Sequence, residues 1–245
     1  MDGLAPPSGC CGKALTLNAK SLTLPLPMLE LHLNRHSRKT FRVLCVGAHC
    51  DDIEIGCGAT LLVLQQQPGR LTIDWAVLSG SAARRREALQ ARRLLVKPAA
   101  RGALLFGDFR DGRLPAQYAE VKDYIEALKK RLPAPDLVLC HERDDRHQDH
   151  RVVNEMVWNT FRDQLVLEYE IPKWDGGLSS PNVYVQITRQ QGLSKVRALL
   201  RAYPSQARRD WFTADTFMAL LRLRGIECRS PSGLAEAFHG RKIVI

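Results

Sequence analysis

The sequence predicts an α/β fold: a Rossmann-like, mostly parallel sheet flanked by helices. Two observations carry this. Apolar strand-like runs alternate with helical stretches four times between residues 41 and 162. Two stretches rich in histidine and carboxylate, "GAHCDDIEIGCG" (47–58) and "HERDDRHQDHR" (141–151), each follow an apolar run. In doubly wound sheets ligands bind outside the carboxyl ends of strands, and both stretches fall there.

The elements read in order as follows. "FRVLCV" (41–46) has the unbroken apolar character of a strand buried on both faces. "IEIGCGATLLVLQQ" (53–66) reads as a helix on that sheet, its Gly56 and Gly58 allowing close packing. "RLTIDWAVLS" (70–79) is a second strand. "RRREALQARRLLV" (84–96) is an amphipathic helix with Leu89, Leu94 and Leu95 near helical spacing. "ARGALLFG" (100–107) is a third strand, "AEVKDYIEALKKRL" (119–132) a helix, and "PDLVLC" (135–140) a fourth strand. A charged loop and a helix near 150–162 follow. Beyond residue 163 the pattern is mixed: strand-like "LVLEYEI" and "NVYVQI", and helices near 191–202 and 210–224. This part completes the same domain and walls the site.

The chain has 245 residues, 45% hydrophobic and 25% charged, which suits one α/β domain over 39–245 with an appendage. Residues 1–38 have the Pro, Gly and polar content of a poorly ordered N-terminal extension and lack the pattern of a signal peptide. Seven scattered cysteines, without a C-x-x-C, read as reduced thiols of a cytoplasmic protein. No run of 18 apolar residues occurs, so no membrane span is expected. The net charge of +10 fits a basic solvated surface, or attraction of an anionic substrate. Nucleic acid is disfavoured, because the basic residues are not interleaved with aromatics.

Asp51 and Asp52 repel each other at a strand end. One can hold a metal while the other stays free as a base, or either can cap the following helix. The second cluster holds three of the seven histidines and four acidic residues within ten positions. Catalytic zinc takes three protein ligands and keeps an open position for water. His49, Asp52 and His150 can supply them from two loops on one sheet edge. Asp51 then remains as general base and His147 as donor to an oxyanion or leaving amine. Asp149 can hold a neighbouring imidazole in one tautomer. His141 and Glu142 could touch substrate hydroxyls or be structural; Trp174 could stack on a sugar or simply pack.

A-H-x-D-D after the first strand and H-x-D-H after the fourth resemble the LmbE-like / PIG-L zinc-dependent N-acetylglucosaminyl deacetylases. Here the motifs stand as "AHCDD" and "HQDH", with Cys50 where the family usually has Pro. "RRREA", "FGDFRDGRL" (106–114), "SQ" (205–206) and "AEAF" (235–238) extend the resemblance over roughly 40–240. The resemblance implies zinc on His49, Asp52 and His150, and a metal-bound water attacking an N-acetyl amide with Asp51 as base. It implies His147 as stabiliser of the tetrahedral intermediate, Asp149 as its orienting group and Arg84 on the substrate side. The implied substrate is an N-acetylated amino sugar. Thiol-sugar conjugates, acylated glycopeptides or a non-catalytic sugar-binding module are the alternatives.

Overall fold

The computed structural model describes residues 30, 31, 33 and 39–244. Most of the expected N-terminal extension, with Cys10 and Cys11, lies outside the described residues. One seven-stranded sheet runs through the domain, in the order β3-β2-β1-β4-β5-β7-β6. The first five strands are parallel: β1 (Phe41–Gly47), β2 (Leu71–Ser79), β3 (Arg101–Phe109), β4 (Leu137–His141) and β5 (Leu165–Tyr169). β7 (Ala235–Gly240) is antiparallel to both β5 and β6 (Val183–Gln186). The Rossmann-like, mostly parallel architecture is therefore present, with an antiparallel ribbon added at one side.

Helices cover both faces. α1 (Asp52–Leu64), α2 (Ala82–Leu95), α5 (Arg189–Ala202) and α6 (Ala214–Glu227) enclose one core with β-strand residues Val43, Cys45, Ile73 and Trp75. α3 (Tyr118–Arg131) and α4 (Gln148–Thr160) enclose the other with Leu44, Val46, Val138 and Cys140. The alternation within β1 sends successive side chains to opposite cores, which is why the strand is apolar throughout. The strand order reverses between β1 and β4. Their two carboxyl ends open a crevice there, and each is followed by one of the two motif stretches.

Two local readings change. In α2 the buried stripe is Ala88, Ala91 and Leu95, while Leu94 is 40% exposed. Leu94 and Leu95 are adjacent, so a 100° step per residue cannot bury both on one narrow stripe. β7 was not expected as a strand, because "AEAFHG" mixes Glu and His with small residues. Its polar residues are buried but partnered. Glu236 meets Lys195 at 2.6 Å and accepts the Ala59 and Thr60 amides at 2.9 and 2.6 Å. Lys195 Nζ also donates to the Ile55 carbonyl at 2.5 Å. Ile55 and Ala59 are four apart, the groups an uninterrupted α-helix would join. A buried ion pair from α5 and β7 thus sits against the backbone ladder of α1.

Glycines in α1 serve packing, as expected: a Cβ on Gly56 would lie 2.2 Å from the Tyr169 ring. The described cysteines are free and buried. Among the described residues no helix is long and apolar enough to cross a membrane.

Candidate active site

Asp51 occupies the junction of β1 and α1 with φ 126°, a region that side-chain-bearing residues rarely adopt. It stands at the N-cap position of α1 yet makes no capping bond. Its carboxylate instead meets Arg84 Nη2 at 2.8 Å. The capping role therefore does not account for Asp51. Asp52 turns the opposite way, accepting the His49 amide at 2.7 Å and facing three imidazoles. The two adjacent carboxylates thus have separate surroundings.

The β4–α4 loop brings the other half. His147 is the N-cap residue of α4, its Nδ1 accepting the Asp149 amide at 3.3 Å. That bond assigns the neutral ring's proton to Nε2. His150, in the first turn, is fully buried, with Nδ1 2.7 Å from Asp145 Oδ2. His49 Nε2 lies 3.2 Å from both Asp149 Oδ2 and Asp111 Oδ1. His49 and His150 therefore each have one nitrogen tied to carboxylate, and the other nitrogen turned toward Asp52.

Three side chains converge. His49 Nδ1 lies 3.2 Å from His150 Nε2 and 3.3 Å from Asp52 Oδ2, and His150 Nε2 lies 3.5 Å from the other carboxylate oxygen, Asp52 Oδ1. A tetrahedral ion with ligands at about 2.0–2.1 Å needs donor separations of roughly 3.3–3.4 Å. Two neutral imidazoles and one carboxylate are also a donor chemistry that zinc favours. The residues present fit a divalent ion of that kind. His141 offers an overlapping set with Asp52 and His150. Its Nε2, however, already accepts the Ala48 amide at 2.9 Å. A separate group, Glu142, Glu170 and His239, is engaged otherwise. Arg224 holds both Glu170 oxygens at 2.5 and 2.9 Å, and Ser179 Oγ meets His239 Nε2 at 2.8 Å.

The electrostatics of the site follow from this geometry. Burial works to raise the Asp52 carboxyl, but His150, His141 and His49 hold it well below the usual range. Burial works to lower His49, but Asp52, Asp111 and Asp149 raise it well above the ordinary imidazole value. Burial pushes Asp51 up to about 6, against the opposing pull of Arg84. Burial, Lys173 and the neighbouring imidazoles lower His147 to about 4, leaving it neutral near pH 7.

Two expected roles need correction. The Asp149 carboxylate does not reach His147. It takes His49 Nε2 and the backbone amides of Gly112 and Leu114, at 2.7 and 3.1 Å, and so anchors the "FRDGRL" loop to His49. The turn of α4 that presents Asp149's amide to His147 points its side chain away. His141 cannot touch substrate: it is fully buried, stacked on His150 with centroids 3.8 Å apart. It supports the floor of the site from β4. Arg84 does line the crevice, pinned by Asp51, Glu87 and Ser205. Cys50 is explained by packing: its Sγ contacts the Ser79 carbonyl at 3.6 Å and would lie 2.6 Å from any Cβ at Gly80. Asp145, Asp111 and Tyr203, which lies under Arg84 at 4.9 Å, were not foreseen as site residues.

The crevice is a cavity of about 570 Å³ that reaches His49, Asp51, Arg84 and His147, with Trp174 and Arg209 at its rim. The fold and these residues define a Rossmann-like protein with a crevice lined by histidines and carboxylates at the sheet's switch point. Residues 44–161 match the PIG-L family profile, described as GlcNAc-PI de-N-acetylase. Over those residues the chain is similar to this family. It is 27% identical over 184 residues to the uncharacterized deacetylase YaiS of Escherichia coli K12, covering 70% of this chain and 96% of YaiS. It shares its fold with the N,N'-diacetylchitobiose deacetylase of Pyrococcus horikoshii, at TM-score 0.62, 21% identity and 85% and 86% coverage. It shares it equally with GalB, the 4-carboxy-2-hydroxymuconate hydratase of Pseudomonas putida KT2440, at TM-score 0.64, 15% identity and 84% and 98% coverage.

Proposed function

We propose that this protein is a metal-dependent N-deacetylase that hydrolyses the N-acetyl group of an amino sugar or its conjugate. The observation that carries this reading is the convergence of His49 Nδ1, His150 Nε2 and the Asp52 carboxylate oxygens at 3.2–3.5 Å, beside the Asp51 carboxylate that Arg84 holds. His49, Asp52 and His150 would hold zinc, which when bound polarises an amide carbonyl and acidifies water.

The chain's own groups then divide the work. Asp51, its pKa lifted to about 6, accepts the proton of the attacking water. Arg84 holds that carboxylate in place at 2.8 Å. His147, neutral and protonated on Nε2, donates a hydrogen bond to the oxyanion as the carbonyl becomes tetrahedral. The proton on Asp51 passes to the departing amine. Trp174 at the rim offers an apolar face to a pyranose. The lining mixes Asp51, Asp111 and Asp175 with Arg84, Lys173 and Arg209, so it does not single out an anionic substrate.

Acetate release from free, nucleotide-linked and lipid-linked N-acetylglucosamine tests the reading. Zinc-loaded protein should release acetate from at least one, and Asp51→Asn should retain about one zinc per chain while losing most of the rate. A protein that binds no metal, or an Asp51→Asn variant with full activity, overturns it. Hydration of an unsaturated acid without acetate release would favour the chemistry of GalB.

A further inference from the structure

The net charge of +10 does not gather at the crevice. α2 and α5 pack side by side on one face of the sheet. Their outward residues include Arg86, Arg93, Arg197 and Arg201, all exposed. None of these four guanidinium groups makes an ion pair among the described residues. Neither helix presents a carboxylate outward: α5 contains no Asp or Glu, and the only acid of α2, Glu87, is buried against Ser205. Leu94 and Leu200 stand among the arginines, 40% and 43% exposed. Where the ends of α1 and α2 meet the start of α5, a cavity of about 350 Å³ is lined by Arg93, Lys97, Arg101 and glutamines, and by no carboxylate.

We infer that the α2–α5 face docks on an anionic lipid bilayer, with the basic cavity receiving phosphodiester head groups. Unpaired arginines supply long-range attraction to acidic lipids. Leucines between them supply the shallow apolar contact that a purely electrostatic partner would not use. Nucleic acid is the poorer fit, because the outward positions of both helices carry no aromatic side chain for base stacking. The inference concerns a surface outside the crevice and holds whatever bond the crevice breaks.

The test is vesicle co-sedimentation of the full chain. The probes are pure phosphatidylcholine vesicles and vesicles with 30 mol% phosphatidylglycerol, at low and high salt. Binding should require phosphatidylglycerol and fall steeply between about 0.05 and 0.5 M salt, where screening shortens. Replacing Arg93, Arg197 and Arg201 by Gln should weaken it about a hundredfold, at about fivefold per arginine. The variant Leu94→Ser/Leu200→Ser should weaken vesicle binding severalfold while leaving binding to poly(U) RNA unchanged. Circular dichroism melts establish that each variant is folded. No binding of the wild-type chain to acidic vesicles, undiminished binding by the triple variant, or tighter binding to poly(U) than to vesicles would overturn the proposal.

Discussion

Asp145 offers the most direct test of how the site is organised. Its Oδ2 lies 2.7 Å from His150 Nδ1, and its Oδ1 accepts the His147 amide at 2.7 Å. His150 and the other bonds hold this carboxyl at about 2 although burial opposes them, so it is ionised at any working pH. Asp145→Asn keeps the shape and removes one acceptor. If the new amide nitrogen faces His150, the imidazole proton must move to Nε2, where a lone pair is needed next to Asp52. If the amide flips, its nitrogen meets the His147 N–H, donor against donor. Either way the orienting bond of an imidazole proposed to bind metal, or the loop that carries it, is lost. Loss of such a partner weakens metal binding about 10–100-fold, or about 1.4–2.7 kcal/mol. Competition for zinc against a chromophoric chelator measures this without any substrate. Among the described residues the exposed neighbour Asp144 pairs only with Arg241, at 3.6 Å, and Asp144→Asn should behave as wild type. A folded Asp145→Asn protein with wild-type zinc affinity would refute the reasoning.

Further outcomes follow from the same geometry. A base is active when deprotonated, so kcat/KM should fall as pH drops through about 6; a bound cation beside Asp52 can only move that limb lower, and an acid limb well above 6 would exclude Asp51. Gly56→Ala drives a Cβ to 2.2 Å from a fully buried Tyr169 whose hydroxyl is fixed to Val46 at 2.7 Å. It should cost about 2 kcal/mol, read as a fall in melting temperature of about 4–8 °C. Lys195→Met strands the buried Glu236 carboxylate and should cost about 3–5 kcal/mol in urea unfolding, with part regained in Lys195→Met/Glu236→Gln.

The central fold was legible because period and composition agree there: β1 is apolar on both sides since both cores use it, and α3 and α5 each bury one clean stripe. β7 was not, because its Glu236 and His239 look like surface residues until Lys195 and Ser179 reach them from distant elements. At the site, His49, Asp51, Asp52, His147 and His150 were readable from residue type and from their place at two strand ends. Whether Asp149 orients His147 or His49 was not readable from spacing, since the direction of a side chain in the first turn of α4 is set by the 110–114 loop that covers it. Asp145 left a faint signal, two residues before His147, within a run that reads as solvated charge. Cys50 looked like a departure from a pattern and is a filler opposite Gly80.

The ion pair against α1 also has a consequence for the order in which the chain can be finished on the ribosome. The helix that begins at Asp52 is made early, yet the amides of Ala59 and Thr60 are answered by Glu236, near the end of the chain. Lys195, answering Ile55, is made more than a hundred residues after the first motif. A nascent chain carrying both histidine motifs, and the entire stretch matched to the family, therefore still lacks the groups that fix the helix below Asp52. A chain stopped at residue 230 would carry every candidate ligand and lack the carboxylate that answers the Ala59 and Thr60 amides.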